Sequence, residues 1–176
     1  MLPMYQNIGK EAFKKDLTNT YMLLESLGNP HLKGTHIHVA GSNGKGSVSS
    51  MTASVLKEAG YKVGLYTSPH LMNYTERIRV NGTEVEKEFV VEFVNKMESA
   101  IQKIRPSFFE VTVAMAFDYF AIQKTDINII EVGLGGRLDS TNVIQPMLSV
   151  ITNISMEHTD MLGNTLELHL MLKLHQ

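Results

Sequence analysis

Four short apolar runs alternate with helical segments along this chain, and that alternation limits the fold more than any other feature. The runs are Thr35 to Val39, Tyr61 to Tyr66, Ile127 to Val132 and Met147 to Ile154. Strands that alternate with helices join through β-α crossovers. The expected fold class is therefore α/β: a mostly parallel sheet with helices on both faces. From Glu11 to Leu27, the apolar residues Phe13, Leu17, Tyr21, Leu24 and Leu27 recur at helical spacing, and Gly28 closes the segment. A second helix is expected to end at Ala59, stopped by Gly60. Glu88 to Ile104 carries one apolar stripe, Phe89, Phe93, Met97, Ile101 and Ile104. Phe109 to Ile122 is apolar nearly all round and reads as a buried helix. Between these, Arg77 to Val80, Asn81-Gly82 and Thr83 to Val85 read as a hairpin, since Asn-Gly supplies the positive φ angles of a tight turn.

Composition removes several function classes. The 176 residues are 43% apolar, enough for one core. The net charge of −2 gives no electrostatic claim on nucleic acid or on an anionic membrane. Zero cysteines exclude disulfides, thiolate zinc and a cysteine nucleophile. The longest apolar stretch, Val111 to Ile122, is interrupted by Asp118 and is too short to span a bilayer. Met1 to Phe13 lacks a secretory apolar core, so a cytoplasmic protein is the default expectation.

In parallel sheets, ligands sit outside the carboxyl ends of the strands. Here every run ends in residues capable of chemistry. The first ends in Gly41-Ser42-Asn43-Gly44-Lys45-Gly46-Ser47, a glycine-rich strand-to-helix loop whose N–H groups would cradle phosphate while Lys45 neutralises it. The pattern departs from the standard phosphate loop. Val39 replaces the first glycine, and Gly46 replaces the magnesium-binding hydroxyl. A nucleotide-bound magnesium would then need other oxygens. Ser68, after the second run, is one candidate, although Thr67-Ser68-Pro69-His70 also reads as an ordinary turn. Glu131, at the end of the third run, is another. A carboxylate there is costly unless it meets a cation, either a metal or Arg137 in a salt bridge. The loop Gly133 to Asp139 is a poor dinucleotide fingerprint, because Leu138 stands at the third glycine. His158, just past the fourth run, completes the set; alone it would read as a loop residue.

Five segments carry a family resemblance: His38 to Ser47, Tyr66 to Leu71, Phe108-Phe109-Glu110, Glu131 to Asn142 and Glu157 to Gly163. Taken in order, they resemble folylpolyglutamate synthase and the bifunctional dihydrofolate synthase, within the Mur-ligase-like amide ligases. Ser42 stands where that family usually has threonine and keeps the hydroxyl. The resemblance implies a P-loop NTPase-like central domain and an ATP-dependent ligase. Such an enzyme joins L-glutamate to a folate or pteroate carboxylate, with ATP and Mg2+ as cofactors. It implies that Gly41, Ser42, Asn43, Gly44, Lys45, Gly46 and Ser47 hold the triphosphate. Ser68, Glu131 and His158 would ligate magnesium, and Lys45, Glu131 and His158 would be catalytic. Pro69, His70, Ser107, Phe108, Phe109, Glu110, Leu138, Asp139 and Ser140 would line the pterin pocket.

The likeness runs from about residue 17 to residue 167. The expected organisation is a partial ATP-binding central domain over 1–167 and a non-matching tail over 168–176, without the family's C-terminal ligase domain. The tail, Leu168-His169-Leu170-Met171-Leu172-Lys173-Leu174-His175-Gln176, reads as extra exposed apolar surface. Two other readings stand beside the ligase: an inactive nucleotide-binding module, and a Mur-like ligase of another substrate.

Overall fold

The computed structural model describes residues 16–156 and 165–174. Six strands form one sheet: β1 (Thr35–Ala40), β2 (Val63–Tyr66), β3 (Ile78–Val80), β4 (Thr83–Glu84), β5 (Ile127–Glu131) and β6 (Leu148–Ile151). Their order is β4-β3-β2-β5-β1-β6. β2, β5, β1 and β6 run parallel, while β3 and β4 add an antiparallel hairpin at one edge. The four parallel strands are the four apolar runs, so their carboxyl ends share one edge of the sheet. In register, Val39 lies beside Glu131, Tyr66 beside Ile130 and Ala40 beside Ile151.

Among the described residues, five α-helices complete the fold: α1 (Thr18–Ser26), α2 (Lys45–Glu58), α3 (Lys87–Ile104), α4 (Phe108–Gln123) and α5 (Leu166–Leu174). The sheet's two faces are covered unequally. Alternation along β1 sends Ile37 and Val39 to the α2 face, where they join Val63, Leu65 and Ile129. On the other face α1, α3 and α4 build the larger core, centred on Phe117, Phe120, Met115, Leu23, Leu24 and Phe93. α4 is buried from Glu110 through Phe120, which is why its sequence shows no polar side.

The boundaries differ from expectation in instructive places. The fourth run stops as a strand at Ile151, because Thr152 and Asn153 turn to bond the loop after β1. Residues 1–15 and His158 lie outside the described residues. The tail forms α5 and is not all exposed surface. Leu168, Leu170 and Met171 face solvent, while His169 and Lys173 are buried.

Candidate functional site

The site grows out of the carboxyl edge of the parallel strands. After β1 the chain enters residues 41–44, whose shape two glycines permit. Gly41 has φ of 140°, and a Cβ there would collide with the Thr152 side chain; Gly44 has φ of 82° at the N-cap of α2. The segment after β6 holds the loop in place. The Ser42 N–H donates to the Asn153 carbonyl (3.0 Å) and the Asn43 N–H to Asn153 Oδ1 (2.8 Å). The Thr152 hydroxyl donates to the Asn43 carbonyl (2.6 Å). The Ser42 hydroxyl donates to the Ser155 carbonyl (3.0 Å) and accepts from the Ser155 N–H (2.9 Å) and from Lys173 Nζ (2.8 Å). All three hydrogen-bonding positions of that hydroxyl are used. Lys45, on the first turn of α2, folds back so that Nζ donates to the Gly41 carbonyl at 2.7 Å.

Glu131 stands across from this turn. A Cβ on Gly46 would lie 3.6 Å from Glu131 Oε1, so the carboxylate occupies the space into which a hydroxyl-bearing residue would extend. The Ser68 N–H donates to Glu131 Oε2 at 3.1 Å, fixing the start of the Ser68-Pro69-His70 loop, whose Ser68–Pro69 peptide is cis. Arg137 is exposed and is not the partner of Glu131. Burial raises the Glu131 pKa above its usual range; the Ser68 N–H and the Lys45 charge oppose that, and Asp139 adds to it. The structure therefore gathers Lys45, Ser68 and Glu131 at one place. Among the described residues, no cluster of three His, Cys, Asp or Glu side chains could hold a metal.

The residues expected to line a pterin pocket divide into two groups. Phe109 bridges α4 and the glycine loop: its ring packs edge-on to Tyr66 (6.3 Å), and a Cβ on Gly133 would run into it. Asp139 is buried beneath that loop and accepts from the Leu134 N–H (2.8 Å), the Thr141 N–H (2.9 Å) and the Thr141 hydroxyl (2.5 Å). Burial raises its pKa, against those hydrogen bonds. Leu138 is half-buried and Ser140 buried beside it. Ser107 and Glu110 form a capping box on α4: Ser107 Oγ accepts from the Glu110 N–H (3.2 Å), and the Glu110 carboxylate accepts from the Ser107 N–H and from Asn19 Nδ2 (3.3 Å). Their polar atoms are committed to the helix start.

The second group lies beside the Ser-Pro-His loop. Pro69 is exposed there. The rings of His70, Tyr74 and Phe108 follow one another edge to face at 6.4 and 5.7 Å, with the Arg77 guanidinium 5.3 Å above Phe108. Sequence reasoning missed Thr152, Asn153, Lys173 and Arg77. The signal for the first two was present, since they too follow a parallel strand at its carboxyl end. Lys173 had none, because a leucine-rich tail gives no sign of which turn faces inward.

A strand–loop–helix cradle, its lysine and a facing acid stand together at the carboxyl edge of a parallel sheet, where α/β domains take their ligands. The Mur ligase middle domain matches residues 39–169, and the chain belongs to that family. Its relatives within the family are folate enzymes. It is 44% identical over 165 residues to the dihydrofolate synthase/folylpolyglutamate synthase of Bacillus subtilis, covering 90% of this chain and 38% of that protein. Among solved structures, Escherichia coli FolC in complex with DHPP and ADP superposes with a TM-score of 0.92 at 36% identity, over 99% of this chain and 42% of that one. Folylpolyglutamate synthase from Thermotoga maritima gives 0.85 at 41% identity, over 98% and 42%. The chain thus spans about two-fifths of the length of the relatives it matches.

Proposed function

We propose that this chain is the ATP-binding portion of a ligase that joins L-glutamate to folate or dihydropteroate, residues 1–167 supplying the central domain. The convergence of Lys45, Ser68 and Glu131 on the phosphate loop carries that reading. A carboxylate is a poor electrophile. Its oxygen would take the γ-phosphoryl group of ATP as ADP leaves, giving an acyl phosphate. The glutamate amine would then attack the acyl carbon, phosphate would depart and the amine would lose a proton. Phosphoryl transfer asks mainly for positioning and charge neutralisation. Residues 41–47 would wrap the phosphates with backbone N–H groups, and Lys45 would swing from the Gly41 carbonyl to the outer phosphates.

Magnesium fits the oxygen donors of this edge: a buried carboxylate whose charge is held at a cost, with a serine beside it. Glu131 and the Ser68 hydroxyl would hold it, with His158 as the third ligand implied by the family resemblance. When bound, it would neutralise phosphate charge. Phe109, the glycine loop and the His70–Phe108 rings would flank the flat acceptor substrate.

The experiment is a calorimetric titration of the purified chain with ATP, with and without magnesium. Binding should require magnesium and weaken at least about tenfold in Lys45→Ala, which corresponds to about 1.4 kcal/mol. Glu131→Gln should remove most of the gain in ATP affinity that magnesium brings. A folded chain that takes up no ATP would overturn the proposal.

A further inference from the structure

Arg77 is a buried guanidinium, 7% exposed, at the junction of the 3-10 turn Tyr74–Arg77 and β3. A buried cation normally meets a carboxylate. Among the described residues, none lies within ion-pair distance of Arg77; Lys96 and Asp118, which do pair, lie on α3 and α4. Beside the buried Tyr66 hydroxyl, the guanidinium is spent on groups without charge. It sits over the face of Phe108 at 5.3 Å, and its Nε–H donates to His70 Nδ1 at 2.7 Å.

The contact with His70 has a chemical consequence. A guanidinium has donors only and does not give up its proton in proteins, so the atom facing it must be an acceptor. His70 Nδ1 therefore carries a lone pair, and the ring proton is on Nε2. With Nδ1 consumed, the half-buried ring has one group left to offer, the Nε2–H. We infer that Arg77 is a positioning residue. It holds His70 in the Nε2–H tautomer, so that the Ser68-Pro69-His70 loop offers the acceptor substrate a fixed hydrogen-bond donor and no base. The matching ligand atom is a carbonyl, ring nitrogen or carboxylate oxygen of a flat heterocyclic acid. Only the identity of that ligand rests on the proposed ligase reading; the tautomer does not.

Two measurements on the full chain separate these points. In 15N-labelled protein, assigned with His70→Gln, NMR should show an unprotonated His70 Nδ1 with a through-hydrogen-bond coupling to Arg77 Nε. Arg77→Met should abolish the coupling, whereas Arg77→Lys, whose ammonium can also donate, should keep Nδ1 unprotonated. Titration with dihydropteroate should shift the His70 Nε2–H resonance in the wild type. Affinity should fall about tenfold in Arg77→Met and less than about threefold in Arg77→Lys. A protonated Nδ1 in the wild type, or no coupling to Arg77, overturns the positioning role whether or not Arg77→Met folds. A folded Arg77→Met that binds dihydropteroate as tightly as the wild type overturns it equally. If the coupling is present and dihydropteroate does not bind, the substrate assignment fails and the tautomer lock stands.

Discussion

α2 and α4 are helices of similar length that pack on opposite faces of one sheet, and they are held by different physics. α4 buries eleven consecutive residues, Glu110 through Phe120, so packing along its length is the main thing that sets its position. α2 fully buries only Ser49, and it leaves Met51 61% and Val55 68% exposed. What fixes α2 is its start: Gly44, Lys45 and the polar clamp from Thr152, Asn153 and Ser155. On the proposed reading the first turn of α2 receives phosphate, and a helix with that task has to keep that end open. α4 leaves only its first two residues, Phe108 and Phe109, short of full burial at that edge, and is sealed from Glu110 through Phe120.

The largest effect should come from breaking the packed side. Phe117→Ala removes a ring 2% exposed that two histidines pack against, and it should cost about 3–5 kcal/mol in urea unfolding. Met51→Ala on α2, measured the same way, should stay within about 0.5 kcal/mol. A comparable loss at both positions would erase the contrast between the helices.

The second test uses acidity. His38 lies on the α4 face of β1, with Nε2 bonded to the Thr141 hydroxyl at 2.8 Å and Nδ1 buried without a partner. Burial lowers its pKa from 6.5 to about 4, with the nearby His36 adding to the effect. The unfolded chain therefore binds the proton more readily between those values, and stability must fall as pH drops from about 6.5 to about 4. The full loss is roughly 3 kcal/mol, because a tenfold difference in proton affinity between the folded and unfolded chain is worth about 1.36 kcal/mol. Glu131 and Asp139, whose pKa values burial raises, act in the opposite sense, contributing at low pH and losing that contribution as pH rises. Urea unfolding of the wild type and His38→Gln at pH 7 and pH 4.5 isolates the histidine. Equal pH slopes in the two proteins would contradict the assignment.

The smallest effect concerns the start of α4. Ser107→Ala removes one half of the capping box and should cost about 1 kcal/mol by the same unfolding measurement. No change would mean that burial alone holds that helix end.

Much of this arrangement was legible in the sequence. The parallelism of the four main strands followed from the apolar runs, though their order in the sheet did not, and the meeting of Lys45, Ser68 and Glu131 followed from the rule that places ligands at carboxyl ends. Ser107 and Glu110 were legible too, as a serine followed three residues later by a glutamate before an apolar run. The family resemblance drew attention to a pocket instead of to the helix start those residues cap. Lys173 and Arg77 were beyond reach, because their partners, Ser42 and His70, depend on which way a side chain turns after the backbone is set. Periodicity gives faces, and it does not give pairings between single polar atoms.

The clamp on Asn43 comes from Asn153, 110 positions further along the chain. During synthesis, a nascent chain that has already released Gly41 to Lys45 from the ribosome still lacks the segment that shapes them. The cradle is thus a late acquisition, completed only when β6 zips onto β1, and closure over such a span is slow compared with local helix growth. A fluorescent nucleotide captured during refolding would therefore time the docking of the last strand.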